Sequence, residues 1–130
     1  AREKHAAWEG QADVVMADVP CSGLGIIRKK PDIRYKNPKE LAQLPLVQRA
    51  ILENASGYVR PGGTLVYSTC TVLPEENEDV TGDFLDKHPE FEPVRTAFPL
   101  PVGPCPGQVT LWPQRHGTDG FYICRMRRKD

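Results

Sequence analysis

The apolar run Ala12-Asp13-Val14-Val15-Met16-Ala17 ends at Asp18 and predicts a short strand buried on both faces, as in a parallel sheet. From Val19 to Pro38 the pattern has no period and carries Pro20, Gly23, Gly25 and Pro31. This is a long loop, and ordered loops of that length usually carry function. Leu44, Val47, Ile51, Ala55 and Tyr58 recur at helical spacing and predict a helix with Pro45 in its first turn. A short helical turn from Asn37 to Leu44 precedes it. Arg60-Pro61-Gly62-Gly63 stops the helix and turns the chain. Thr64 to Thr69 is β-rich and ends at Cys70. The next helix is expected from Pro74 to Lys87, with Glu75, Glu76 and Glu78 in its first turn, Val80, Phe84 and Leu85 on its apolar face, and His88-Pro89 as its stop. Phe91–Val94 and Val109–Trp112 read as short strands, Phe98–Pro106 as a proline-rich loop, and Gly120–Met126 as the final strand.

The order strand, helix, strand, helix, then strands is that of the second half of a doubly wound α/β sheet. The Asp13 strand is expected beside the Thr64 strand, with the last strand antiparallel to the latter. Sites in such sheets lie at the carboxyl ends of parallel strands. Asp18-Val19-Pro20-Cys21 and Ser68-Thr69-Cys70-Thr71 both occupy such ends. If the strands are neighbours, both thiols open onto one crevice.

At 130 residues, 39% hydrophobic and 26% charged, the chain has material for one small domain or a piece of a larger one. No apolar stretch approaches the roughly 18 residues of a membrane span. The polar N-terminus carries no secretory signal and no initiator Met, which reads as an internal fragment or a processed chain. Formal net charge is zero, but it hides segregation. Arg28, Lys29, Lys30, Arg34 and Lys36 face only Asp32, and Arg125, Arg127, Arg128 and Lys129 crowd the C-terminus. Such patches hold phosphates or form a solvated surface. Cys21, Cys70, Cys105 and Cys124 have no zinc or redox-pair spacing. They are expected to be free thiols in a reducing cytoplasm, with Cys124 in the core, Cys105 without a role and no metal site.

Two cysteines at adjacent strand ends beside a basic loop suggest thiolate chemistry; the alternative is two buried small hydrophobes. Their flanks decide which chemistry. Asp18-Val19-Pro20-Cys21-Ser22-Gly23 and Tyr67-Ser68-Thr69-Cys70-Thr71 resemble the paired cysteine motifs of the RNA (cytosine-5-)-methyltransferases, in the Sun/Fmu (RsmB-type) branch. The likeness extends through Gly25–Ile33, Pro61-Gly62-Gly63, Leu73–Asn77 and Asp119–Tyr122, and so covers most of the chain, roughly from Asp13 to Arg127.

The resemblance implies the second half of a Rossmann-like S-adenosylmethionine-dependent methyltransferase sheet, mostly parallel with an antiparallel last strand. It implies Cys70 as the nucleophile that adds to carbon 6 of cytosine, and Cys21 as the residue that assists release. It puts Asp18 at the cofactor S-adenosylmethionine and near the target base. The base must be unstacked to reach the thiolate. Arg28, Lys29, Lys30 and Arg34 would then hold the phosphates of an RNA partner, ribosomal RNA in most of the family and tRNA in some branches. The Gly-rich cofactor loop and ribose-binding acid of such enzymes do not precede Asp13. The stretch 1–130 therefore reads as the C-terminal part of a catalytic domain, expected to bind cofactor weakly and to be inactive in isolation.

A DNA cytosine-5-methyltransferase is the nearest rival, with Pro20-Cys21 and Glu76-Asn77 matching its motifs; Thr69-Cys70 argues for the RNA enzyme. His88-Pro89-Glu90 followed by Pro104-Cys105 imitates a zinc deaminase, but Gln108 stands where the second cysteine is required. A thiol protease would need a partner among His5, His88 and His116, none in a matching context. A catalytically inactive RNA-binding fragment is the non-enzymatic alternative.

Overall fold

The computed structural model describes residues 9–21, 38–71, 73–94, 96–97, 104–105, 107–111 and 120–130. Along the chain these form β1 (Ala12–Asp18), α1 (Pro38–Ser56), β2 (Val59–Thr69), α2 (Glu78–Lys87), β3 (Phe91–Pro93), β4 (Thr96–Ala97), β5 (Pro104–Cys105), β6 (Gln108–Leu111) and β7 (Phe121–Arg128). β1 pairs with β2 in parallel, and β7 lies antiparallel on the other side of β2, as the pattern predicts. β3 and β6 both add to β7 antiparallel, and β4 and β5 form a separate two-stranded ribbon, with β5 inside the Phe98–Pro106 segment expected to be loop. The architecture is α/β and Rossmann-like.

Period-two alternation builds the core. Leu65, Tyr67 and Thr69 of β2 are buried and lie opposite Met126, Cys124 and Tyr122 of β7. The Tyr67 and Tyr122 rings meet edge to face, and the Tyr122 and Thr81 hydroxyls share a 2.7 Å hydrogen bond that ties α2 to the sheet. Ile51, Leu52 and Ala55 of α1 and Val80 and Phe84 of α2 join the same core. Cys124 is a core residue as expected, and burial pushes its thiol up to about 11.

Four further local expectations differ from the structure. First, β1 is not buried on both faces: Val14 is 59% and Met16 71% exposed. β1 is the outermost strand of its sheet among the described residues, and α1 covers only the Val15 and Ala17 side. Second, α1 is one helix rather than a turn followed by a helix, with Pro45 inside it. Pro45 cannot donate to the carbonyl four residues back, a cost of about 3 kcal/mol that burial of the downstream turns offsets. Tyr58 falls beyond the helix end. Third, α2 begins at Glu78 after a turn over residues 74–77, because Asn77 has non-helical backbone angles and its side chain is used elsewhere.

Fourth, Pro61-Gly62-Gly63 is not a turn between elements but lies within β2. Ala12 pairs with Val59 and Val14 with Thr64, so β2 bulges by three extra residues against β1. Gly62 sits at φ +83°, where side chains are strained. A Cβ on Gly63 would meet the Arg60 carbonyl at 2.9 Å and the Asp13 carbonyl at 3.0 Å. Gly63→Ala is therefore expected to cost about 1–3 kcal/mol in urea unfolding. Gly82→Ala, facing open space on α2, is the matched control and should not destabilise.

α2 ends at Lys87, and His88 follows with its ring between two carboxylates. Nε2 lies 2.6 Å from Glu53 and Nδ1 2.8 Å from Glu90, and the ring stacks on Phe84 at 4.5 Å. Desolvation pulls the His88 pKa down, but the hydrogen bonds to Glu90 and Glu53 outweigh it, and the net shift is upward from 6.5. A raised folded value means that this group's stabilisation is fully present below the unfolded pKa and is lost as pH rises through the folded one. The stability difference between the protein and its His88→Gln variant should shrink across that interval; a pH-independent difference would contradict the shift.

Candidate active site

Parallel pairing of β1 with β2 sets the geometry. Asp18 is in register with Ser68, and the Val19 N–H continues the ladder to the Ser68 carbonyl at 3.2 Å. Both chains then leave the sheet at the same end, one through Pro20-Cys21 and the other through Cys70-Thr71. Positions separated by 49 in sequence come together with Cys21 Sγ 2.8 Å from Cys70 Sγ. Both cysteines are half-buried thiols, and this separation is longer than the bond of about 2.05 Å in a disulfide. The Cys70 backbone N–H donates to Cys21 Sγ at 3.3 Å. The exposed Asp18 carboxylate accepts from the Ser68 hydroxyl at 3.2 Å on the adjacent strand end. Cys21 and Cys70 are thus brought into contact, and Asp18 stands at the same end of the sheet, bonded to Ser68. Arg28, Lys29, Lys30 and Arg34 lie outside the described residues.

Sequence reasoning missed what holds this pair. Asn77 is fully buried and grips the residues on either side of Cys70. Its Oδ1 accepts from the Thr69 hydroxyl at 2.6 Å, and its Nδ2 donates to the Thr71 carbonyl at 3.0 Å. Asn77 immediately precedes α2, yet its side chain makes no capping bond. Glu76 is buried too; its backbone carbonyl accepts from the Tyr67 hydroxyl at 2.5 Å. Burial, with Glu76 close by, raises the Tyr67 pKa, so its phenol stays protonated and remains a donor. The cue available in the sequence was two polar side chains a few residues after a strand-end cysteine.

His88 is held by Glu53 and Glu90 rather than by a thiol, which removes it as a protease-type base. Among the described residues no group of three His, Cys, Asp or Glu side chains is arranged to hold a metal ion, and no helix is long and apolar enough to cross a membrane.

The 16S rRNA methyltransferase RsmB/F family profile matches residues 1–127. The chain belongs to that family. It is 45% identical over 125 residues to a probable ribosomal RNA small subunit methyltransferase B of Bacillus subtilis (strain 168), covering 92% of this chain and 28% of that protein. It is 41% identical over 119 residues to ribosomal RNA small subunit methyltransferase B of Thermus thermophilus, covering 91% of this chain and 30% of the relative. It thus spans less than a third of these relatives' length. Among solved structures, that of PH0851 superposes with a TM-score of 0.86 at 35% identity, over 98% of this chain and 29% of the other. NSun6 from Pyrococcus horikoshii, solved with SFG, superposes with a TM-score of 0.68 at 28% identity, over 88% and 29%. The family membership and the Rossmann-like fold read from the two cysteine motifs agree with these matches.

Proposed function

We propose that this RsmB/F chain is the C-terminal part of the catalytic domain of a ribosomal RNA cytosine-C5 methyltransferase, acting through a covalent bond between Cys70 and carbon 6 of the base. The observation that carries this reading is the pair of thiol sulfurs, 2.8 Å apart, at neighbouring parallel strand ends, with an exposed carboxylate at the same end. A lone structural cysteine needs no such partner. A methyltransferase acting on carbon 5 has work for two: one thiolate to add, and a second group to handle the proton that must leave.

Cys70 forms the sulfur–carbon bond at carbon 6. The ring electrons shift so that carbon 5 becomes the nucleophilic end of an enamine, with the displaced negative charge shared by ring nitrogen 3. Asp18, an acceptor when ionised, suits an N–H of the base or an amino group of the cofactor. Its exposed carboxylate at the strand end fits that use, and S-adenosylmethionine supplies an electrophilic methyl group when bound. Once carbon 5 carries the methyl, its proton leaves, the carbon 5–carbon 6 double bond re-forms, and Cys70 departs as thiolate. Cys21 assists that departure. The basic segment Arg28, Lys29, Lys30 and Arg34 engages RNA phosphates on either side of the target.

Two further observations support the reading. The apolar residues Val14 and Met16 lie bare on β1, the outermost strand among the described residues, which suits further sheet and cofactor-binding structure supplied by a longer chain. The relative NSun6 was solved with SFG, an S-adenosylmethionine analogue. The test is to react the full-length methyltransferase containing this chain with RNA carrying 5-fluorocytosine, whose adduct cannot lose a proton from carbon 5. Mass spectrometry then locates the modified residue. An adduct on Cys70 is expected. An adduct on Cys21 would assign the chemistry of DNA cytosine-5-methyltransferases instead, and no adduct would reject covalent catalysis.

A further inference from the structure

We propose that Gln48 is a positioning residue that fixes the distance between the two sulfurs, an inference that rests on the function proposed above. Gln48 lies on α1, on the stripe it shares with Leu44, Ile51, Leu52 and Ala55, and is fully buried. Its single amide nitrogen donates twice: to the Pro20 carbonyl at 2.9 Å and to Glu76 Oε1 at 3.0 Å. Pro20 immediately precedes Cys21. Glu76 immediately precedes Asn77, whose side chain grips Thr69 and Thr71 around Cys70. The two hydrogens of one NH₂ group therefore join the backbone that carries Cys21 to the turn that holds Cys70.

The chemistry at this position is narrow. Both partners are acceptors, so the nitrogen rather than the oxygen of the amide must face them. Glutamate would set a third acceptor against two. Methionine would fill the space and donate nothing. Asparagine is one methylene shorter and cannot span both partners. Gln48 Oε1 is buried and makes no hydrogen bond, so the amide is held through its nitrogen alone. An apolar side chain there would spare that oxygen but leave the Pro20 carbonyl and Glu76 Oε1 without this donor, and the double donation is something only the amide provides.

The test uses intramolecular disulfide closure as a ruler, independent of RNA and cofactor. Diamide accepts two hydrogens from two thiols, becoming a hydrazine as the sulfur–sulfur bond forms. Peptide mapping then follows the Cys21–Cys70 pair. In the full chain, the unsubstituted protein should close rapidly. Gln48→Met should close about tenfold more slowly, because a displacement near 1 Å is enough to cost that much in a proximity-controlled reaction. Its alkylation by iodoacetamide at each thiol should stay as in the unsubstituted protein, which a general loosening of the fold would not allow. Gln48→Asn should behave in the same way, and it carries the test if the methionine variant does not fold. Closure of the variants at the unsubstituted rate would overturn the role of Gln48 while leaving the proposed function standing. Failure of the unsubstituted protein to close would overturn both, since no fixed sulfur pair would then exist.

Discussion

Cys70→Ala, in the full-length methyltransferase containing this chain, is expected to lower methyl transfer by about 10⁴-fold or more, the scale on which loss of a covalent nucleophile is felt. The substitution should do so without unfolding the protein. The grip on this turn runs from Asn77 to the Thr69 hydroxyl and the Thr71 carbonyl, and neither bond involves the Cys70 side chain. Removing a half-buried sulfur at a strand end should change unfolding free energy by no more than about 1 kcal/mol. The measurement is transfer of labelled methyl from S-adenosylmethionine to RNA, paired with adduct formation on 5-fluorocytosine RNA and with a urea unfolding curve. Both activities should vanish while the unfolding midpoint holds. A variant retaining a tenth of the activity would remove Cys70 from the chemistry.

The convergence of Cys21 and Cys70 was legible because it depends on two local facts. Each cysteine follows a β-rich run, and neighbouring parallel strands end on the same side. Leu65, Tyr67 and Thr69, like Tyr122, Cys124 and Met126, alternate cleanly, so the central strands could be read from period alone. What could not be read was set by contacts across the fold. Pro61-Gly62-Gly63 has the composition of a turn, yet pairing with β1 absorbs it as a bulge, and Gly63 is required there by the nearby Asp13 carbonyl. Asn77 has the look of a helix start, but its amide is drawn to Thr69 and Thr71. The exposure of Val14 and Met16 depends on what packs against β1, which the β1 segment does not encode. Gln48 is an intermediate case. A glutamine at helical spacing among Leu44, Ile51, Leu52 and Ala55 is visible in the sequence, but its two acceptors lie 28 residues away on either side.

Cys21→Ala is expected to have the opposite signature from Cys70→Ala: a covalent protein–RNA complex that accumulates on ordinary cytosine and persists on a denaturing gel. The adding sulfur is still present, so the bond to carbon 6 forms. What is lost is the second sulfur, 2.8 Å from the first and oriented by the Cys70 backbone N–H. Release requires a proton to leave carbon 5 as the sulfur–carbon bond breaks, and a positioned acid–base group accelerates such a step by about 10²–10⁴-fold. Turnover should therefore fall by at least about 10²-fold while a single round of methylation proceeds. The double variant Cys21→Ala/Cys70→Ala should form no complex, which separates catalytic trapping from tight RNA binding. Product release by Cys21→Ala at the unsubstituted rate would leave the second sulfur without a role in the reaction, and a complex surviving in the double variant would show that the retained species is not held through Cys70.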